Sequence, residues 1–381
     1  MSFCVARCRA AAALRRAFAS TSSAPPPGAT MRALRLTDVE GADGKKVIAL
    51  ETGVPVPAPA AGEALVRVSH AALNHRDNWL TMGMYPRIQY GGTLGSDGAG
   101  EVVALGDGAD DDAAAAAWLG RRVIIDASLG WGDSLAAPAT KGGVQILGMP
   151  SDGTLAEYVA VPVQNLHACP AHLTDAQAAA LPLAGATAFR ALTTKGGVRA
   201  GAGQSVLVTG VGGGVALFAL QMGVALGARV TVTSSCAAKL ARAAELGAAA
   251  CLNYGEEGWE KRLREASGGG GFDAVVDGAG GAALNGYLKN MAPGGRLVSY
   301  GVTAGPCKNL ALPLAFLNNV DIACTAMSSP MEFAAMVELV GSAALVPEVH
   351  AVHAPSDFDA AIGTMRDGAQ FGKICVDMQQ S

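Results

Sequence analysis

Residues 205–222 read SVLVTGVGGGVALFALQM, a run of glycines between an apolar β-rich stretch and an apolar helical one. Glycines at such a junction permit a tight turn and let backbone N–H groups reach a pyrophosphate at the N-terminus of the following helix. Gly210, Gly212 and Val215 depart from G-x-G-x-x-G, whereas Gly210, Gly213 and Ala216 give G-x-x-G-x-x-A. A glycine turn alone is also common as plain chain reversal. The strand–turn–helix setting makes dinucleotide binding the stronger reading. Gly210, Gly212, Gly213, Gly214, Val215 and Ala216 are therefore the candidate pyrophosphate contacts.

The next β-rich run, RVTVT, bears on which nicotinamide cofactor fits. NAD sites place an Asp or Glu at the end of this strand to bond the ribose 2′-OH. Here the run ends in Ser234 and Ser235, with Lys239 a helical turn later. Two hydroxyls and an ammonium can accommodate a 2′-phosphate that a carboxylate would repel, so the expected cofactor is NADPH. A Ser N-cap beside a surface Lys is the plainer reading. Both hold together, because an N-cap beside the ribose is itself an anion site.

These residues need a scaffold of alternating strands and helices, and the chain is long enough to build one. It has 381 residues, of which 50% are apolar and 16% charged. That composition suits two packed domains rather than disorder. From Met31 to residue 163 short apolar or alternating runs (MRALRL, EALVRVSHAAL, GAGEVVALG, RRVIIDAS) are punctuated by Gly and Pro at all-β spacing, with one short helix predicted at HRDNWLTMG. Residues 164–327 alternate strands and helices, the pattern of a parallel sheet of about six strands. Residues 328–381 return to a mixed pattern, which suggests a substrate domain split across both ends of the chain.

Residues 1–30 read differently. They hold four Arg and several Ser and Thr but no carboxylate, the composition of an organelle transit peptide. Mitochondrial import is expected, with a plastid as the alternative. The eight cysteines include no C-x-x-C and make neither a disulfide framework nor a zinc ribbon. Residues 200–228 carry no charge over a span long enough for a bilayer, but the glycine turn inside them argues for a buried strand and helix. The net charge of −4 without a basic stripe excludes nucleic acid as the expected partner.

Several segments, in order from Met31 onward, resemble the quinone oxidoreductase and zinc-type alcohol dehydrogenase-like branch of the medium-chain dehydrogenases/reductases. They are LNHRDNWLTMGMYP, GSDGAGEVVALG, ILGMPSDGTLAEYVAVP, LPLAGATAFRAL, VTGVGGGVALFALQ, VVDGAGG and QFGKICV. The resemblance implies an α/β protein, a GroES-like β-rich substrate domain plus a Rossmann doubly wound domain, with the active site between them. It also implies a homodimer or homotetramer acting on a small molecule. Thr187, Tyr254, Gly278, Ala279, Gly301 and Phe371 are further cofactor residues on this basis.

The zinc ligands of such relatives do not carry over. Asn74 stands at the position of the first Cys, Gly95-Ser96-Asp97 at that of a His, and residues 31–165 contain no cysteine, so no metal is expected. Without a Lewis acid, an acceptor that delocalises charge after hydride arrives is favoured, such as an enone or a quinone. Such an anion needs only hydrogen-bond donors and a proton source. Asn74 and Tyr85 are the candidate catalytic donors, although a Tyr before Pro86 is often only a wall residue. The expectation is an NADPH-dependent, zinc-free enone or quinone reductase. An organellar enoyl-thioester reductase and a non-catalytic NADPH-binding sensor or scaffold are the alternatives.

Overall fold

The computed structural model describes residues 24–107, 113–138 and 144–380; the expected transit peptide lies outside them except for residues 24–30. Among the described residues no helix is long and apolar enough to cross a membrane. The glycine turn joins the strand Ser205–Val208 to the helix Gly214–Ala225. This strand is buried along its whole length and sits in the middle of a six-stranded parallel sheet. From edge to edge the strands are Ala250–Asn253, Arg229–Ser234, Ser205–Val208, Phe272–Asp277, Met291–Ser299 and Asp321–Cys324. The order reverses beside Ser205–Val208, so a crevice opens at the carboxyl ends of the strands, where ligands bind in such sheets. The following helix is apolar on every side because the sheet covers one face and the helix Pro182–Arg190 covers another.

The second layer is a seven-stranded sheet built mostly of antiparallel pairs, centred on Glu63–Ala72. The C-terminal strand Lys373–Asp377 pairs with it antiparallel, Cys375 opposite Ala72, so both ends of the chain build one sheet. The domain borders differ from those read in the sequence. Leu166–Ala168 pairs with Arg122–Ile125, and the helix Asp175–Ala180 packs on Glu63–Ala72, so the first part of the substrate domain runs past residue 163. Phe333, Met336 and Val340 of the helix Pro330–Ser342 share a core with Val206, Val208 and Val298, so this helix packs with the parallel sheet although it follows residue 327.

One buried ion pair locks these parts together. Arg190 ends the helix Pro182–Arg190 with its side chain 2% exposed and pairs with Glu332. It also donates to the carbonyls of Leu135 and Ala136 at 2.9 and 2.8 Å and to Thr325 Oγ1 at 2.9 Å. Its guanidinium lies 5.1 Å from the Trp131 ring centroid. Removing one member leaves the other charge buried and unpaired. Arg190→Ala or Glu332→Ala is expected to cost about 3–5 kcal/mol, and the apolar pair Arg190→Met with Glu332→Leu far less. Denaturant titration of the three variants measures this. Equal losses in singles and double would contradict the paired-charge account.

Candidate active site

A cleft of about 740 Å³ lies at the carboxyl ends of the parallel strands. The glycine turn forms its floor. Gly210 has φ +64° and Gly212 φ +139°, which residues with a Cβ rarely adopt. A Cβ at Gly212 would also fall 2.9 Å from Lys239 Cδ. Gly213 caps the helix Gly214–Ala225, whose first N–H groups have no intrahelical acceptor and are available to an anion. Gly210, Gly212, Gly213, Gly214, Val215 and Ala216 all line the cleft. So do Tyr254, Gly278 and Ala279. A Cβ on Gly278 would clash with the edge of the Tyr300 ring, so backbone passes there only without a side chain.

Ser234, Ser235 and Lys239 line one end of the same cleft. Ser234 is buried and its Oγ accepts the Cys236 N–H at 3.2 Å, which opens the helix Ala237–Glu245. Lys239 Nζ donates to the Gly368 carbonyl at 2.7 Å, so one of its three protons is committed across the cleft. Cys236 also lines this end. The N–H of Lys239 holds its thiol below the usual range.

Three residues expected at the cofactor do not line the cleft. Thr187 is buried inside its helix, Phe371 packs against the nucleotide-domain core, and Gly301 backs onto the Gly278 carbonyl. Gly301 and Phe371 each follow a lining residue, Tyr300 and Gln370, but are themselves turned to the packing side.

At its inner end the cleft adjoins a recess of about 50 Å³ lined by Asn74, Gln370 and Lys373; Gly214 and Val215 border both spaces. Asn74 caps the short helix His75–Thr81, and its backbone N–H donates to Asp77 Oδ2 at 2.8 Å. Burial pushes the Asp77 carboxyl up. Asn74 Nδ2 donates to Asp97 Oδ2 at 2.9 Å, and Asp97 Oδ1 accepts the Leu183 N–H at 2.7 Å. Lys373 Nζ donates to three acceptors: the Leu73 carbonyl at 2.6 Å, Asn74 Oδ1 at 2.7 Å and Asp97 Oδ2 at 2.8 Å. Its side chain is 5% exposed and that of Asp97 0%. Gln370 Oε1 is buried and lacks a hydrogen-bond partner among the described residues.

Tyr85 does not line the cleft or this recess. Its hydroxyl accepts from Arg76 Nε at 3.4 Å, and the guanidinium lies 4.8 Å from its ring centroid. Arg76 is in turn held by Ser96 Oγ and by the Leu147 and Met149 carbonyls. The sequence reading missed Lys373, Asp97 as an acceptor, and Gln370. A lysine opening the apolar run KICV was the one available signal, since its partners lie 276 and 299 residues away.

The residues fit a dinucleotide: the turn leaves room for a pyrophosphate, and Gln370, whose buried amide oxygen has no partner among the described residues, borders both the cleft and the recess. They do not fit zinc. A lysine ammonium already stands between Asn74 and Asp97, and no group of three or more His, Cys, Asp or Glu side chains among the described residues could hold a metal.

Two family models match this chain: an alcohol dehydrogenase GroES-like domain over residues 60–171 and a zinc-binding dehydrogenase over residues 214–342. A zinc-type alcohol dehydrogenase-like protein of Leptosphaeria maculans is 38% identical over 342 residues, 85% of this chain and 93% of that protein. An acryloyl-coenzyme A reductase of Sulfurisphaera tokodaii is 26% identical over 341 residues, 85% and 94% of the two chains. The crystal structure of an NAD-dependent alcohol dehydrogenase superposes with a TM-score of 0.82 at 33% identity, covering 91% of this chain and 99% of that one.

Proposed function

The chain belongs to the medium-chain dehydrogenase/reductase superfamily and is a nicotinamide-dependent oxidoreductase; from that premise we propose that it is an NADPH-dependent reductase of conjugated carbonyl compounds, enones first and quinones second, working without zinc. The sensor or scaffold reading has no support from relatives that are named as oxidoreductases.

The observation that carries the proposal is Lys373 bonded between Asn74 and Asp97. With an ammonium there, no divalent ion supports the alkoxide of a simple ketone. An acceptor whose charge spreads over a conjugated system needs only a hydrogen-bond donor at its oxygen. Asn74 supplies one. Its Oδ1 faces the ammonium, which can only donate, so the amide orientation is set by chemistry. One Nδ2 proton goes to Asp97, and the other has no acceptor among the described residues. NADPH, when bound, supplies the hydride. The turn from Gly210 to Gly214 would hold its pyrophosphate, and Ser234, Ser235 and Lys239 would receive its 2′-phosphate. Closing contacts such as Gly372 N–H to the Gly212 carbonyl, at 2.9 Å, tie the turn to the strand that carries Lys373.

Purified protein with NADPH or NADH and a panel of enones, quinones and simple ketones tests the reading. Oxidation of NADPH by enones or quinones, unaffected by chelators, is the expected result. Turnover confined to simple alcohols with NAD⁺ and abolished by chelators would overturn it. An enoyl thioester belongs on the panel as the second reading, because a relative is an acryloyl-coenzyme A reductase. A thioester turned over far faster than any free enone would favour that reading.

A homodimer or homotetramer belongs to the same proposal. The edge strand Asp321–Cys324 is paired on one side only, and Leu312, Phe316, Leu317 and Ile322 beside it are exposed. A monomer mass by light scattering would remove that part. Import into mitochondria, with plastids as the alternative, rests on residues 1–30; a fluorescent fusion of the full chain that stays cytosolic would remove it.

A further inference from the structure

We infer that Lys373, acting through Asn74, is the positioning residue that turns an ordinary amide into a polarised donor for the substrate carbonyl. The inference rests on the proposed carbonyl reduction and adds a role for a residue that never touches the substrate.

The geometry leaves Lys373 no free proton. Its three N–H groups go to Leu73 O, Asn74 Oδ1 and Asp97 Oδ2 at 2.6, 2.7 and 2.8 Å. It can therefore neither donate to a substrate nor act as its acid in this arrangement. What it can do is hold Asn74 Oδ1. An amide whose oxygen accepts from a cation in a dry site becomes a stronger donor at its nitrogen, because hydrogen bonds in a chain polarise one another. Asp97 fixes the other side of that amide and balances the ammonium charge. Swivelling the amide would place N–H groups against the ammonium, so the donor stays directed toward the recess.

The fold makes room for this lysine at the cofactor turn itself. A Cβ on Gly214 would fall 2.7 Å from Lys373 Cδ, so the stem passes over the first residue of the dinucleotide-binding helix. Asp97 meanwhile accepts the Leu183 N–H of the adjoining helix. The donor, its cation and the cofactor turn are thus held as one unit.

Lys373→Met alone would strand the buried Asp97 carboxylate, and folding could suffer. The double variant Lys373→Met with Asp97→Asn removes both charges while keeping the shape, and both variants are compared with wild type. Three quantities are measured: NADPH dissociation constant by fluorescence, kcat on an enone, and the infrared carbonyl stretch of that enone bound to the enzyme–NADP⁺ complex. A folded double variant should bind NADPH within about threefold of wild type, lose about ten- to a hundredfold in kcat, and show a carbonyl stretch moved back toward its solution value. Lys373→Arg, which keeps the cation, should recover part of the frequency shift. A double variant with the wild-type kcat and carbonyl frequency overturns the inference alone. Wild type that reduces no enone, quinone or enoyl thioester overturns the proposed function and this inference with it.

Discussion

Asn74→Ala is expected to lower kcat for enone reduction by about a hundred- to a thousandfold, the usual loss when one donor to a developing oxyanion is removed. The NADPH dissociation constant should change little, because Asn74 lines the recess and not the cleft that runs from the glycine turn to Ser234. The variant also takes an acceptor from Lys373 and a partner from Asp97, so some stability is lost with the rate. Thermal unfolding run alongside the kinetics separates the two. A folded, NADPH-binding Asn74→Ala protein with kcat within about threefold of wild type would remove Asn74 from the chemistry.

The second large effect concerns the cofactor. Ser234→Asp should weaken NADPH binding by about tenfold or more and leave NADH unchanged or improved. The carboxylate can still accept the Cys236 N–H that Ser234 Oγ accepts, so the helix start survives. It also brings a negative charge to the position expected to face the 2′-phosphate, where a repulsion of about 1.4 kcal/mol is a tenfold change in affinity. Lys239→Ala should weaken NADPH by a smaller factor, more visibly at low salt. Its ammonium is already shared with the Gly368 carbonyl, so the variant also loosens a tie across the cleft. Dissociation constants for both cofactors in wild type and both variants measure this. A wild type that prefers NADH, or variants that leave the preference unchanged, would show that the strand end has been misread.

The part of the cleft proposed for the cofactor was legible because it is local. A strand, a glycine turn and a helix lie within 21 residues of each other, and Ser234, Ser235 and Lys239 follow on the adjacent strand and helix. Short-range pattern carries that information. The inner end was only half legible. Asn74 stood out through its place in a recognisable segment and Asp97 lies 23 residues on, but the partner Lys373 comes from the other end of the fold. No local pattern signals an ammonium that must travel 299 residues to reach its acceptor.

The misplacements share a cause. Tyr85 sits near Asn74 in sequence, yet its hydroxyl bonds to the buried Arg76 and its ring packs against the core of the β-rich sheet. Thr187 is buried in the helix Pro182–Arg190, and Phe371, which follows the lining residue Gln370, packs against the core that this helix shares with the parallel sheet. The domain borders moved for a similar reason. Leu166–Ala168 is three residues long, too short to read as a strand without its partner Arg122–Ile125.

The most direct test of conjugate reduction without zinc is the site of hydride delivery. Enzyme treated with a chelator is given an α,β-unsaturated ketone and NADPH deuterated at the transferable position, and the product is analysed by NMR. The expected product is a saturated ketone with deuterium on the carbon β to the carbonyl. An allylic alcohol with deuterium on the carbonyl carbon would contradict it.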